Sequence, residues 1–163
     1  MGEKNLRDFL NRFIEFKKGN IKDENNNVIG QHQGAILYTQ GQRQGLMIGG
    51  IKDKEELPWY VYKKDIPNNE IYVCQGGDNE LLMNKGLYVE DINFINDINY
   101  QYPINCAVQV RHQHTPVTCV IEKISNKFRV TFSEPIRAIA PGQSAVFYDD
   151  KICLGGGVIC KTF

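Results

Sequence analysis

Two histidines and a cysteine between residues 112 and 119 come closest in type and spacing to a metal site. His112 and His114 are two residues apart, and Cys119 follows five residues later. On a β-strand, residues two apart point to one face, so both imidazoles could hold a zinc ion. Pro116 indicates that His114 is already in a turn, and the sequence contains no CxxC pair. We therefore favour an exposed polar patch, predict no metal site, and keep a small metal-dependent enzyme as an alternative.

The five cysteines predict packed thiols, and we predict no catalytic residue in this chain. Cys106 and Cys119 lie within apolar runs, where burial raises the pKa of a thiol and makes it unreactive. The N-terminus lacks the pattern of a secretory signal, and no apolar run approaches the roughly 18 residues that a membrane helix needs. We therefore expect a cytoplasmic protein with reduced cysteines and no membrane partner. The other three cysteines are Cys74, Cys153 and Cys160.

A glycine-rich segment, TQGQRQGLMIGG at residues 39–50, predicts a constrained loop, because glycine readily adopts positive φ angles. Its spacing matches neither GxxxxGK[ST] nor GxGxxG, so a nucleotide cradle is not indicated. Two interpretations remain: a purely structural loop, and a loop that presents Arg43 to a phosphate or to a partner domain. Three further glycines at residues 155–157 interrupt a strand pattern, which predicts a bulge or the close approach of another backbone.

The first half of the chain predicts a helix followed by short strands. Apolar residues at Leu6, Phe9, Leu10, Phe13 and Ile14 form one helical stripe. Gly19 would end this helix in a left-handed conformation. Strands are predicted at residues 35–38, 59–62 and 71–74, with a hairpin turn at residues 66–69.

The second half reads as an antiparallel β-structure from about residue 84 onward. Six strands are predicted, at residues 87–90, 105–111, 118–123, 128–132 and 144–148, and at 151–154 together with 158–160. Their spacing and turn signals indicate a small barrel or sandwich. The expected fold is therefore mainly β with an N-terminal helix: a small α+β central domain at residues 1–83, then an antiparallel β-barrel at residues 84–163.

The charge balance argues against a polybasic protein. Lys and Arg number 19, as do Asp and Glu, so the formal net charge is zero. Residues 1–83 carry 11 basic and 12 acidic side chains, and residues 84–163 carry 8 and 7. Neither half is a strong electrostatic attractor for nucleic acid. From the residues alone, a stand-alone β-barrel adaptor that binds protein remains an alternative.

Several stretches, taken in order, carry a family resemblance. They are GQHQG at residues 30–34, YTQGQRQGLMIGG at 38–50, PWYV at 58–61, FSEP at 132–135, PGQSAVFY at 141–148 and CLGGGVI at 153–159. Together they resemble the C-terminal part of the tRNA-specific 2-thiouridylases, the tRNA-uridine 2-sulfurtransferases of the MnmA/TrmU family. The resemblance covers essentially the whole chain, and the ordered set is far more specific than any single motif.

The resemblance implies an enzyme of three parts: an ATP-pyrophosphatase domain, a small central domain, and a C-terminal barrel like the second domain of elongation factors. Such enzymes adenylate the wobble uridine with ATP and Mg²⁺, and a cysteine persulfide then replaces its C2 oxygen. This sequence contains no SGGxDS-type pyrophosphate loop, and only Gly2 and Glu3 match the end of the motif around the second catalytic cysteine. We therefore expect an inactive fragment that starts after that cysteine, with no cofactor of its own.

The expected partners are tRNA, the catalytic domain of the same enzyme and a sulfur-relay donor protein. The resemblance implies tRNA contacts at Arg111 and His112, a basic and aromatic pair on a barrel strand, and at Gln143 of the PGQ motif. Arg111 can bind a phosphate in a bidentate manner. His112 replaces the tyrosine common in the family and can still stack or form hydrogen bonds. Arg43 is our own addition, as a contact to RNA or to another domain.

Overall fold

The computed structural model of the chain describes residues 12–49, 57–96, 99–112 and 114–163. The chain divides into two compact units, Met1–Leu82 and Met83–Phe163. Each unit has its own buried apolar cluster. Within the described ranges, no helix reaches the length and apolarity needed to cross a membrane.

The first unit is built on a four-stranded sheet. Its elements are β1 (Gly19–Lys22), β2 (Val28–His32), a 3₁₀ turn (Ala35–Leu37), β3 (Trp59–Asp65), β4 (Glu70–Gln75) and a second 3₁₀ turn (Glu80–Leu82). The strand order is β2-β1-β4-β3, in which β1 runs parallel to β4 and the other pairs are antiparallel. The predicted β3–β4 hairpin is confirmed.

Most of the predicted N-terminal helix lies on residues 1–11, outside the described residues. Its remaining part, residues 12–18, forms a turn and irregular chain, and Gly19 begins β1. The prediction that Gly19 ends a helix is therefore wrong. A Cβ at Gly19 would lie 1.9 Å from the carbonyl oxygen of Asn69, so the position requires glycine because another backbone approaches it closely.

The strand predicted at residues 35–38 is also wrong, because Ala35–Leu37 forms a 3₁₀ turn. Gly34 enters this turn with a φ of 139°, and the Asn69 side chain accepts a hydrogen bond from the Ala35 N–H at 3.0 Å. Ala35 and Tyr38 are buried in the core of the first unit. A short apolar run of this kind does not distinguish a strand from a buried turn by periodicity alone.

The second unit is a closed six-stranded antiparallel β-barrel, which confirms the predicted barrel. Its strands are β5 (Met83–Val89), β6 (Asn93–Phe94), β7 (Ile104–Gln109), β8 (Val117–Ile124), β9 (Lys127–Arg137), β10 (Ser144–Asp149) and β11 (Ile152–Thr162). The order β10-β7-β8-β9-β5-β11 closes because β10 also pairs with β11, and the short β6 adds to β11. Val108, Ile121 and Phe147 are among the side chains that fill the interior.

The glycines at residues 155–157 confirm the expected close approach of another backbone. A Cβ at Gly155 would lie 2.2 Å from the Asn93 carbonyl oxygen, and one at Gly157 would lie 2.1 Å from that of Asp91. At Gly156 the Ala145 carbonyl oxygen is 2.7 Å away. The three glycines therefore let the long strand β11 pass between β10 and β6 without side chains.

We expect Gly157→Ala to destabilise the barrel by about 2 kcal/mol, because the new methyl group overlaps a backbone oxygen that cannot move independently. Urea unfolding followed by far-UV circular dichroism measures the change. Gly49→Ala is the matched control, since a Cβ at Gly49 meets nothing within 4 Å. Equal stability of the two variants would contradict the close packing of β11.

Candidate functional site

The two histidines lie in a turn and not on a strand. Strand β7 ends at Gln109, so the strand predicted for residues 105–111 is too long at its C-terminal end. The His114 N–H donates to the Arg111 carbonyl at 3.0 Å, and both histidine side chains are exposed. The metal site was argued from two histidines on one face of a strand. Since His112 and His114 do not lie on a strand, that argument no longer holds. In the described part of the chain, no three His, Cys, Asp or Glu side chains are grouped to hold a metal ion.

The side chain of Gln109 shapes this turn through hydrogen bonds. The sequence analysis did not identify Gln109 as a site residue. Its Nε2 donates to the carbonyl oxygens of His112 at 3.1 Å and His114 at 2.7 Å. The Tyr148 hydroxyl in turn donates to its Oε1 at 3.4 Å. The side chain at the end of β7 thus fixes the path of the turn that carries Arg111 and His112. No spacing or motif in the sequence marks a glutamine for this task.

Arg111 is half-buried and forms a hydrogen bond to the backbone of a second loop. Its Nη2 donates to the carbonyl oxygen of Ala138 at 2.5 Å. Ala138 has a φ of 54°, a left-handed conformation that costs a residue other than glycine roughly 1 kcal/mol. The hydrogen bond to its carbonyl group helps to hold this conformation. In the described part of the structure, the guanidinium bonds to a neutral carbonyl group.

Gln143 fastens the same loop from its other end. Its Oε1 accepts a hydrogen bond from the Ala140 N–H at 3.0 Å, and its own N–H donates to the Ala140 carbonyl at 3.3 Å. The turn between them contains Gly142 at a φ of 88°, as the Pro-Gly pair predicts. The Ile159 N–H donates to the Gln143 carbonyl at 2.8 Å, which ties this turn to β11.

The structure therefore brings two of the predicted site residues to one element, which we call the 138–143 loop. Arg111 binds the start of this loop and Gln143 closes its end. The Gln143 amide oxygen accepts from the Ala140 N–H, and the described contacts include no acceptor for its NH₂ group. Arg111 has further N–H donors, and His112 adds an exposed aromatic ring. Donors of this kind suit phosphate and ribose oxygens.

Arg43 lies in the first unit, on the glycine-rich loop. The Gln42 side chain braces this loop by accepting from the Thr39 N–H at 3.0 Å and donating to the Gln44 carbonyl at 2.9 Å. The Tyr38 hydroxyl donates to the Gly45 carbonyl at 3.2 Å. Arg43 itself is exposed on the braced loop. This geometry is compatible both with a structural loop and with one that presents an arginine.

Two family profiles match the chain and together span most of it. Residues 7–75 match a tRNA methyl transferase PRC-barrel domain. Residues 84–159 match an aminomethyltransferase β-barrel domain. The two matches fall on the two structural units.

Curated relatives extend this agreement along nearly the whole chain. The tRNA-specific 2-thiouridylase MnmA of Pseudomonas fluorescens is 46% identical over 98% of this chain and 42% of its own length. Those of Buchnera aphidicola and Serratia proteamaculans are 44% and 41% identical, again over 98% of this chain and 44% of their own lengths. The chain thus spans less than half the length of these relatives. Since both profiles and the relatives agree over both units, the chain belongs to the tRNA-specific 2-thiouridylase family.

Proposed function

We propose that this chain binds and positions tRNA as part of a tRNA-uridine 2-sulfurtransferase, which makes 2-thiouridine at the wobble position in an ATP-dependent reaction. The observation that carries the proposal is that Arg111, from the turn after β7, and Gln143 both bond to the backbone of the 138–143 loop. Both side chains are held by backbone contacts and keep spare N–H donors. The names of the relatives support tRNA as the ligand.

Preorganisation is how a chain without net charge can bind RNA. With 19 basic and 19 acidic side chains, long-range attraction contributes little, so affinity must come from a few placed donors. A guanidinium already fixed by one hydrogen bond loses little side-chain entropy when it meets a phosphate. We therefore expect weak tRNA binding that decreases with salt, recognising RNA shape and unstacked loop bases.

The chemical step is assigned to a part of the enzyme outside this sequence. No SGGxDS-type loop is present for ATP and Mg²⁺, and Cys74, Cys106 and Cys119 are buried. In this proposal the catalytic domain of the same enzyme supplies nucleotide binding and the persulfide cysteine. A sulfur-relay donor protein loads that cysteine, and the reaction takes place in the cytoplasm.

The first prediction from the proposed function concerns Arg111. Fluorescence anisotropy with a labelled tRNA should show saturable binding that weakens roughly 10- to 50-fold between about 50 and 200 mM salt, as expected for a few phosphate contacts. Arg111→Ala should weaken binding about tenfold at the lower salt, because it removes a charged donor.

The matched control for Arg111→Ala is Lys123→Ala. Lys123 is exposed near the far end of β8 from the turn with Arg111, and its removal changes the net charge equally. Equal losses in both variants would show that only overall charge matters. If the wild-type chain does not bind at either salt concentration, the proposal is contradicted and the protein-binding adaptor is favoured.

The second prediction separates structure from binding at Gln143. Gln143→Glu keeps a side-chain oxygen for the Ala140 N–H, but replaces the outward amide donor by a carboxylate oxygen that repels phosphate. We expect an unchanged midpoint of thermal unfolding and at least a fivefold weaker tRNA affinity, since about 1 kcal/mol corresponds to that factor. Unchanged affinity would place Gln143 outside the RNA contact.

The third prediction is that this chain does not thiolate tRNA. Incubation with ATP, Mg²⁺, a sulfur donor and a tRNA transcript should give no 2-thiouridine by mass spectrometry of the digested nucleosides. A full-length relative such as the Pseudomonas fluorescens protein serves as the positive control. Detectable 2-thiouridine from this chain alone would overturn the assignment of the chemistry to another domain.

A further inference from the structure

Two cysteines face each other directly across neighbouring strands of the barrel. Cys106 on β7 and Cys119 on β8 are register partners, and their Sγ atoms are 3.6 Å apart. Directly opposed residues of an antiparallel pair have Cα atoms about 4.5 to 5.5 Å apart, which lies within the range that a disulfide spans. We propose that Cys106 and Cys119 form an oxidisable dithiol that closes to a cross-strand disulfide when the protein meets a peroxide.

The two thiols differ in a way that assigns their roles. Cys106 is 8% exposed and Cys119 only 1%, so a small oxidant reaches Cys106 first. The hydrogen bond with Cys106, together with burial, raises the pKa of the Cys119 thiol. In this proposal Cys119 is the protonated partner and donates its S–H to Cys106. That donated hydrogen bond lowers the pKa of the Cys106 thiol and favours the reactive thiolate there.

The reaction balances with one peroxide molecule. The Cys106 thiolate attacks a peroxide oxygen, the O–O bond breaks, and a sulfenic acid and one water form after protonation. The Cys119 sulfur then attacks the sulfenic sulfur, forms the S–S bond and releases a second water. In total, two thiols and H₂O₂ give one disulfide and two waters, and the two sulfurs lose two electrons to the peroxide.

Each of the other three cysteines has a described neighbour that is not a thiol. Cys160 donates its S–H to the Tyr88 carbonyl at 3.2 Å. Cys153 stands opposite Tyr148 in the register of β10 and β11. Cys74 lies in the other unit, near the Tyr60 carbonyl. The fold thus selects one pair out of five cysteines.

The disulfide would join the two strands that hold the turn with Arg111. Cys106 lies on β7, and Arg111 follows five residues later, in the turn after this strand. The covalent link would close the β7–β8 hairpin from inside the barrel. The proposal stands on the geometry of the cysteines and does not depend on tRNA binding.

The test counts thiols in the folded full chain. The reduced protein is treated with hydrogen peroxide, quenched, unfolded and alkylated with iodoacetamide. Its five cysteines should fall to three alkylated ones in the intact mass. Trypsin cuts after Lys85, Arg111 and Lys123, so peptides 86–111 and 112–123 should be found joined and should separate on reduction.

Cysteine variants make the assignment specific. Cys153→Ser is the matched control and should still lose two thiols, from four to two. Cys119→Ser and Cys119→Ala should form no internal disulfide, keep three alkylated thiols out of four, and leave Cys106 as a sulfenic acid that dimedone labels. Thermal unfolding of both variants is the control, and at least one of them should retain the fold.

Three results would overturn the proposal. One is the persistence of all five thiols under conditions that fully oxidise a reference dithiol peptide. Another is a disulfide that involves Cys74, Cys153 or Cys160. The last is the same yield of the 106–119 link from a urea-unfolded chain, because the fold would then not select the pair.

Discussion

The pairing of β10 with two strands at once is the interaction on which the second unit depends. β10 bonds to β7 on one side and to β11 on the other, and this closes the sheet so that its six main strands have both neighbours. Closure requires β11 to pass close to other backbone, and the glycines at residues 155–157 allow this. A closed barrel has no edge strand with a row of unpaired backbone N–H and C=O groups. Its loops are therefore available for other contacts.

The candidate site is a consequence of this closure. β7 ends beside the start of β8, and β9 and β10 flank the 138–143 loop. Gln109, Arg111 and Gln143 then bond loop backbone groups that no strand partner satisfies. These side chains replace ladder hydrogen bonds, which explains why polar residues are half-buried there. The same contacts orient the donors that remain unused.

Sequence patterns predicted the barrel strands well and the finer placement of the site less well. Alternating residues and turn signals identified six barrel segments, because one face of each strand is buried. The parallel pair β1–β4 was missed, since β1 is only four residues long and carries no clear alternation. Arg111 and Gln143 were predicted from the family resemblance. The bond from Arg111 to Ala138 joins residues 27 apart, and the bond between Gln143 and Ala140 joins residues three apart. Local propensity cannot predict the first of these.

Arg111 illustrates how a residue proposed to bind tRNA can also have a structural role. Its hydrogen bond to Ala138 supports a strained backbone conformation, and strain of this kind is kept where the surroundings fix it. A phosphate that bonds the remaining guanidinium donors would find them already placed, and it would not need to break the bond to Ala138. Truncation of such a side chain therefore removes a contact and also frees a loop. For this reason Gln143→Glu, which retains an oxygen for the Ala140 N–H and replaces the amide donor by a negative charge, tests the binding contribution with less disturbance of the loop than an alanine substitution at this site.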